Sequence, residues 1–120
     1  MAPYQRIQAW RRSHDLTLAV YRITDGWPNR EMYGLTSQIR RAAASVPTNL
    51  VEGMSRRGPR ELRHFLNISL GSLGEVSYLL HLARDLGYVT DEDYRKIDAL
   101  RRRAGFLLWR LYDSISVPTG

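Results

Sequence analysis

The chain has 120 residues, 43% of them hydrophobic, which is enough for one domain with a continuous core and too short for two. It contains no cysteine, so disulfides, thiolate metal ligands and cysteine redox chemistry are excluded. The net charge is +6, and all but one of the 18 basic residues are arginine, the exception being Lys96. Because guanidinium groups bind phosphate through paired hydrogen bonds, nucleic acid is a candidate partner.

No apolar run approaches the roughly 18 residues that a membrane-spanning helix needs. The first residues also lack the apolar stretch of a secretory signal. We therefore expect a cytoplasmic protein without a membrane partner.

The first predicted helix covers residues 9–25. Its apolar residues recur at spacings of three and four, which places them on one face of a helix. Gly26 and Pro28 are expected to end it. The apolar residues of this face are Leu16, Ala19, Val20, Ile23 and Trp27.

The second predicted helix covers residues 35–53 and contains a proline. We expect Gly53 to end it, because glycine readily adopts the left-handed conformation that closes helices. Pro47 removes one backbone hydrogen bond and clashes with the carbonyl of Ala43. The sequence therefore predicts one helix with a kink at Pro47, not two helices.

The third predicted helix, residues 59–86, has clear boundaries, with Pro59 at its first position and Gly87 just past its end. Its apolar residues cover more than one face, so it needs neighbours on several sides. Glycines and serines interrupt it between Ser69 and Ser77. Glycine inside a helix is unfavourable, so these small residues predict close approach by another backbone, in this chain or in another subunit.

The fourth predicted helix covers residues 91–115. Thr90 is its expected cap, and the acidic residues that follow complement the helix dipole. Short connections force consecutive helices to lie antiparallel. The sequence therefore predicts one all-α domain over residues 1–120, an antiparallel up-down-up-down four-helix bundle.

Several blocks of the sequence are specific enough to compare with known families. They are Tyr33 to Gly53 (YGLTSQIRRAAASVPTNLVEG), Arg56 with Arg57, Phe65 to Glu75 (FLNISLGSLGE), Leu82 to Tyr88 (LARDLGY), and the single residues Trp10, Tyr21, Thr24 and Pro28. Together they resemble the four-helix-bundle proteins encoded by intervening sequences of bacterial 23S ribosomal RNA genes. The resemblance covers nearly the whole chain and is loose only in the last helix.

This resemblance implies a cytoplasmic helical bundle without known enzymatic activity, often assembled as a ring-shaped homopentamer. The biochemical role of the family is mostly unassigned. A related branch is the accessory protein of diversity-generating retroelements, whose basic surfaces are thought to engage nucleic acid and a reverse transcriptase. The resemblance therefore leads us to expect a homo-oligomer, most simply a pentamer.

One pair of residues has the spacing of a metal site. Glu61 and His64 form a Glu-x-x-His pair, which carboxylate di-iron bundles use twice. The sequence has no second pair, and Arg60 and Arg63 flank this one with repelling positive charge. We therefore predict no metal site and no cofactor.

Catalytic motifs are equally scarce. The sequence has neither a serine elbow nor a phosphate loop with the required spacing. Glu52 and Glu75 lie among small and apolar neighbours, but buried carboxylates are usually paired, and Arg40 and Arg41 are plausible partners. We predict that these four residues form a structural polar network and that the protein is not an enzyme.

Arginine clusters are the remaining signal. The first cluster lies at the start of the third helix, where the helix dipole disfavours cations by a few tenths of a kcal/mol each. Folding alone does not explain this cost, and an anionic partner would offset it. A second cluster follows on the fourth helix. The candidate nucleic-acid-binding residues are Arg56, Arg57, Arg60, Arg63, Arg101, Arg102 and Arg103.

Two functions remain open. The preferred one is a non-enzymatic, homo-oligomeric bundle that binds DNA or RNA through these arginines with little sequence selectivity. The alternative is a scaffold for a protein partner, in which the arginines form a solvated face that serves only solubility. In that case local ion pairs, such as Asp98 with Arg102 and Asp91 with Arg95, would neutralise part of the charge.

Overall fold

The computed structural model describes residues 2–118, so residues 1, 119 and 120 of the predicted domain lie outside the described part. Within that part the protein is all-α and contains no strand. The molecule is elongated, with extents of 50 × 31 × 25 Å. Its helices are α1 (Gln8–Thr24), α2 (Leu35–Ser55), α3 (Pro59–Asp85) and α4 (Asp91–Ser114), with short 3₁₀ turns at Pro3–Arg6 and Asn29–Glu31.

Each helix packs on the helices next to it in sequence, and α1 also packs extensively on α4, which closes the ring of contacts. The contact between α2 and α3 is the most extensive. With connections this short, the arrangement is the predicted antiparallel up-down-up-down four-helix bundle. Among the described residues, no helix combines the length and apolar character that a membrane span requires.

The proline in α2 does not divide the helix. The helix runs unbroken through Pro47, which confirms a single element, while the kink expected there stays a prediction. Proline leaves the carbonyl four residues earlier, that of Ala43, without its helical donor. The Thr17 hydroxyl of α1 lies 3.0 Å from this carbonyl and also 3.0 Å from the carbonyl of Ser13 in its own helix, so its single proton is shared between the two acceptors. A neighbouring helix thus offers a donor in place of the hydrogen bond that Pro47 removes.

The role predicted for Gly53 was wrong. The helix continues to Ser55, and positive φ angles in the described residues occur only at Gly58 and Gly87. A Cβ at Gly53 would lie 3.0 Å from both Leu62 Cδ1 and Phe65 Cβ. Gly53 therefore allows close approach of α3 and does not cap α2.

The small residues of α3 divide into two sets. Two serines face α2: Ser69 donates to the carbonyl of Val46 at 2.8 Å, and the Ser72 and Ser45 hydroxyls share a hydrogen bond of 2.8 Å. The glycines face away, since a Cβ at Gly71 or Gly74 would meet nothing within 4 Å. Close approach within the chain therefore involves the serine face and not these two glycines. Approach by another subunit stays a prediction.

The turn between α3 and α4 follows the predicted pattern. Gly87 has φ +80°, and its amide donates to the carbonyl of Arg84 while that of Tyr88 donates to Ala83, the two bonds of a Schellman motif. Thr90 caps α4, since its hydroxyl accepts a hydrogen bond from the Asp93 amide at 3.1 Å. This turn fixes the two helices that carry the candidate site.

Candidate nucleic-acid interface

The first arginine cluster lies where α3 begins and α4 ends. Arg57 and Arg60 are exposed, and the Arg60 Nη2 donates to the carbonyl of Pro118 at 3.1 Å. Arg63 is half-buried, with its guanidinium carbon 4.3 Å from the centre of the Tyr112 ring. The structure therefore joins Arg63 to the last turns of α4 and Arg60 to the segment that follows α4, which the sequence did not predict.

Arg56 behaves differently from the rest of this cluster. It forms an ion pair of 3.4 Å with Glu52 one turn earlier, and its guanidinium lies over the Phe65 ring. Both partners are about half exposed, so the pair contributes little to stability. Nevertheless, the pair neutralises part of the positive charge at this position.

A small pocket lies between α3 and α4 beside Arg63. The Nε of Arg63 is buried and has no hydrogen-bond partner among the described residues. A buried donor without a partner costs about 1–3 kcal/mol, so this guanidinium is under-satisfied. The pocket is an open depression of about 190 Å³, and its lining residues are Arg60, Arg63, His64, Asn67, Tyr112 and Val117.

The second cluster is largely paired. The carboxylate of Asp98 accepts from Arg101 at 2.8 Å and lies 3.4 Å from Arg102, so it offsets one of these two charges. The pair predicted between Asp98 and Arg102 is therefore present. Asp91, in contrast, pairs with Arg84 of α3 at 3.0 Å. Of the second cluster, only Arg103 forms no ion pair with a described residue.

Arg103 belongs to a surface that includes aromatic side chains. Phe106 and Trp109 are 51% and 53% exposed. Arg103 and Arg110 lie one turn before and after Phe106, 6.0 and 5.6 Å from its ring centre. The α4 patch is defined as Arg103, Phe106, Trp109, Arg110 and Tyr112.

Sequence reasoning missed this patch. Trp27 is buried in the core, whereas Trp109 is exposed and its ring stacks on Tyr112 at 5.6 Å. The available signal was the spacing of Arg103, Phe106 and Arg110, which places all three on adjoining turns. That spacing could not show that the aromatic side chains point to solvent.

The predicted polar network of four residues is not formed. Arg40 donates to the Thr24 hydroxyl at 2.8 Å and pairs with Asp25 at 3.2 Å. Glu52 pairs with Arg56 as described above, while Arg41 and Glu75 are exposed and make no ion pair within residues 2–118. Both glutamates are exposed, so neither needs the buried partner that motivated the prediction.

The Glu61 and His64 side chains are both exposed. The His64 ring lies edge-on to Phe65, with 5.3 Å between ring centres. No group of three or more histidine, aspartate or glutamate side chains within residues 2–118 is arranged to hold a metal ion.

The sequence matches the family of 23S rRNA-intervening sequence proteins over residues 5–109. The chain belongs to this family. The match covers most of the chain and confirms the resemblance read from its sequence blocks. No curated protein matches the sequence of this family member.

A crystal structure from the S23 ribosomal protein family of Bacteroides thetaiotaomicron, of a protein with unknown function, is similar to this family member. The TM-score is 0.82 at 21% sequence identity, and the match covers 88% of this chain and 96% of the other. At this identity the likeness shows a shared fold and nothing about activity.

Proposed function

We propose that this family member is a non-enzymatic, homo-oligomeric protein of the cytoplasm that binds nucleic acid through arginines, with little sequence selectivity. The observation that carries the proposal is a set of arginines without ion pairs among the described residues, around the start of α3 and the second half of α4. They are Arg57, Arg60, Arg63, Arg103 and Arg110.

The placement of Arg60 and Arg63 supports binding of phosphate. Both lie in the first turns of α3, where the helix dipole disfavours positive charge, and Arg63 has a buried nitrogen without an acceptor. A phosphate bound by the terminal guanidinium nitrogens of these arginines would offset the unfavourable field. Contacts of this kind fix the protein on the phosphate backbone and do not read sequence, which is why we propose little selectivity.

Self-association is supported by a different surface. The outward face of α3 exposes Ile68, Tyr78 and Leu86, and Gly71 leaves open space between the first two. Exposed apolar side chains on one helix face are typical of contact sites between proteins, and Glu75, one turn from both Gly71 and Tyr78, adds an exposed charge to this face. This face carries none of the unpaired arginines, so oligomer formation and nucleic-acid binding would use separate surfaces.

Charge reversal at one end of the bundle tests nucleic-acid binding. Arg57→Glu, Arg60→Glu and Arg110→Glu together remove three proposed phosphate contacts, so affinity for duplex DNA should fall for all sequences alike. Each contact contributes about −0.9 to the slope of log affinity against log salt, so the slope should flatten by roughly 2.7. Binding titrations between about 50 and 200 mM salt measure it.

The matched control carries the same change of charge in the other half of the bundle, at three exposed arginines without described ion pairs: Arg22→Glu, Arg41→Glu and Arg95→Glu. It should weaken binding less and leave the slope nearly unchanged. Thermal stability and oligomer mass should be the same in both variants, because the altered side chains lie outside the core. Equal effects of the two variants, or no binding at about 50 mM salt, would contradict the proposal.

A protein-interaction scaffold is the second candidate, and one surface favours it. Tyr33 is 98% exposed and Met32 is 47% exposed. Both line an open pocket of about 500 Å³ between the end of α1 and the start of α2. Exposed aromatic and methionine side chains are enriched at protein interfaces. Failure of the charge-reversal test would leave this surface as the better candidate for function.

A further inference from the structure

The α4 patch exposes flat aromatic surface beside positive charge. Phe106 and Trp109 are each about half exposed, although they lie on a helix whose opposite face is buried. Both sit within one turn of Arg110, and the acidic residue closest to them along the helix is Asp113. A partner for this patch must therefore offer both flat apolar surface and negative charge.

Single-stranded nucleic acid meets both requirements. Its bases expose aromatic faces that stack on aromatic side chains, whereas a duplex keeps those faces inside its own stack. Its phosphates supply the negative charge for Arg103 and Arg110. A second copy of this chain fits less well, because it would bring its own net charge of +6 toward these arginines.

The pocket beside Arg63 adds a place for phosphate next to the aromatic surface. Tyr112 connects the two, since it lines the pocket, lies against the Arg63 guanidinium at 4.3 Å and stacks on Trp109 at 5.6 Å. A pocket of about 190 Å³ is smaller than the roughly 300–1,000 Å³ typical of sites for larger organic ligands. Its size and its arginine and asparagine lining suit a single phosphate group.

We propose that the unpaired bases of single-stranded nucleic acid stack on Trp109 and Phe106, while a backbone phosphate enters the pocket lined by Arg60, Arg63, His64 and Asn67. This inference rests on the proposed function and narrows its ligand from nucleic acid in general to unpaired strands. The stacking surface supplies affinity for any base, because every base has an aromatic face.

Binding of an oligouridylate of about 12 nucleotides, compared with an RNA duplex of the same length, tests the inference. Trp109→Ala should weaken binding of the single strand about 5- to 150-fold, the range that one stacked base provides, and change duplex binding less than about twofold. Trp109→Phe should retain most of the affinity because it keeps an aromatic ring. Tyr33→Ala removes an even more exposed aromatic ring at the other end of the bundle and should change neither affinity.

Tryptophan fluorescence gives an independent readout. The single strand should quench the emission of the unmodified protein, and Trp109→Phe should abolish most of that quenching, because Trp27 is buried and Trp10 half-buried. Arg63→Gln should weaken binding of the single strand without removing the quenching, because the substitution alters the phosphate pocket and leaves the Trp109 ring in place.

The outcome of these experiments distinguishes failure of the stacking proposal from failure of the proposed nucleic-acid binding. If single strand and duplex both bind but Trp109→Ala affects them equally or not at all, stacking is wrong while nucleic-acid binding stands. If neither probe binds at about 50 mM salt, both proposals are wrong. If Trp109→Ala lowers the oligomer mass in light scattering, a second copy of the chain covers the patch and the inference is overturned.

Discussion

The inward and outward faces of α3 both carry small residues, but for different physical reasons. Ser69 and Ser72 on the inward face are buried and hydrogen-bonded to α2, so small size there allows close packing with every polar group satisfied. Gly71 and Gly74 on the outward face meet nothing in the chain. Small residues therefore mark close helix packing only on a buried face, and elsewhere they leave a surface open for a partner.

Substitution by valine at a buried glycine and at an outward-facing glycine should give the largest difference in the free energy of unfolding. A Cβ at Gly53 would lie 3.0 Å from Leu62 Cδ1 and Phe65 Cβ, and the latter cannot move without its backbone. We expect Gly53→Val to lower the free energy of unfolding by about 2–4 kcal/mol, because overpacking costs about 1–3 kcal/mol and occasionally more. Gly71→Val, in open space, should change it by less than about 0.5 kcal/mol.

Chemical denaturation of both variants measures this difference. If Gly53→Val is as stable as Gly71→Val, the contact between α2 and α3 is looser than described. If Gly71→Val is the more harmful of the two, the outward face is covered in the folded protein, and the contrast between the two faces is lost.

Removing the hydroxyl next to the carbonyl freed by Pro47 should lower the free energy of unfolding by a smaller amount. Thr17→Val keeps the shape of the side chain but removes the hydroxyl whose proton is shared between the carbonyls of Ala43 and Ser13. We expect a loss of about 1–2 kcal/mol, since a partly buried carbonyl is left unsatisfied. Thr48→Val is the control, because its exposed hydroxyl donates only to Ala44 of its own helix.

Thermal unfolding of the two threonine variants compares the costs directly. Equal stability of Thr17→Val and the unmodified protein would mean that water replaces the hydroxyl at Ala43. A loss at Thr48→Val as large as at Thr17→Val would mean that the loss does not arise from the carbonyl freed by Pro47.

The sequence predicted the features of the fold that depend on neighbouring residues. The turn from Gly87 to Thr90 was correct because positive φ and helix capping are decided within a few positions along the chain. The end of α2 was predicted two residues early because the reason for Gly53 lies on another helix, at Leu62 and Phe65. A close approach between helices leaves no local trace that distinguishes it from a cap.

The candidate site was predictable only in part, for the same reason. The spacing of Arg60 and Arg63 placed them together, but their contacts with Pro118 and Tyr112 depend on how α4 returns along α3. The exposure of Trp109 depends on which face of α4 meets the bundle. The predicted network failed because Arg40 finds Asp25 in the neighbouring turn, a nearer carboxylate than either glutamate considered.

A charge introduced on the outward face of α3 should change assembly without changing the fold. Its effect on the free energy of unfolding should be the smallest of those predicted. Tyr78 is 61% exposed and lies between Gly71 and Leu86 on this face. If the face contacts another subunit, Tyr78→Glu places a charge in an apolar contact, so the oligomer should dissociate toward the 13.9 kDa chain at micromolar concentration. The free energy of unfolding of the dissociated chain should change by less than about 0.5 kcal/mol, because no described contact in the core is lost.

The control is Ala99→Glu, at an exposed position on α4, which should leave the oligomer mass unchanged. Light scattering decides between the outcomes: an unmodified protein that is already a monomer contradicts self-association, and a Tyr78→Glu oligomer of unchanged mass places the contact elsewhere.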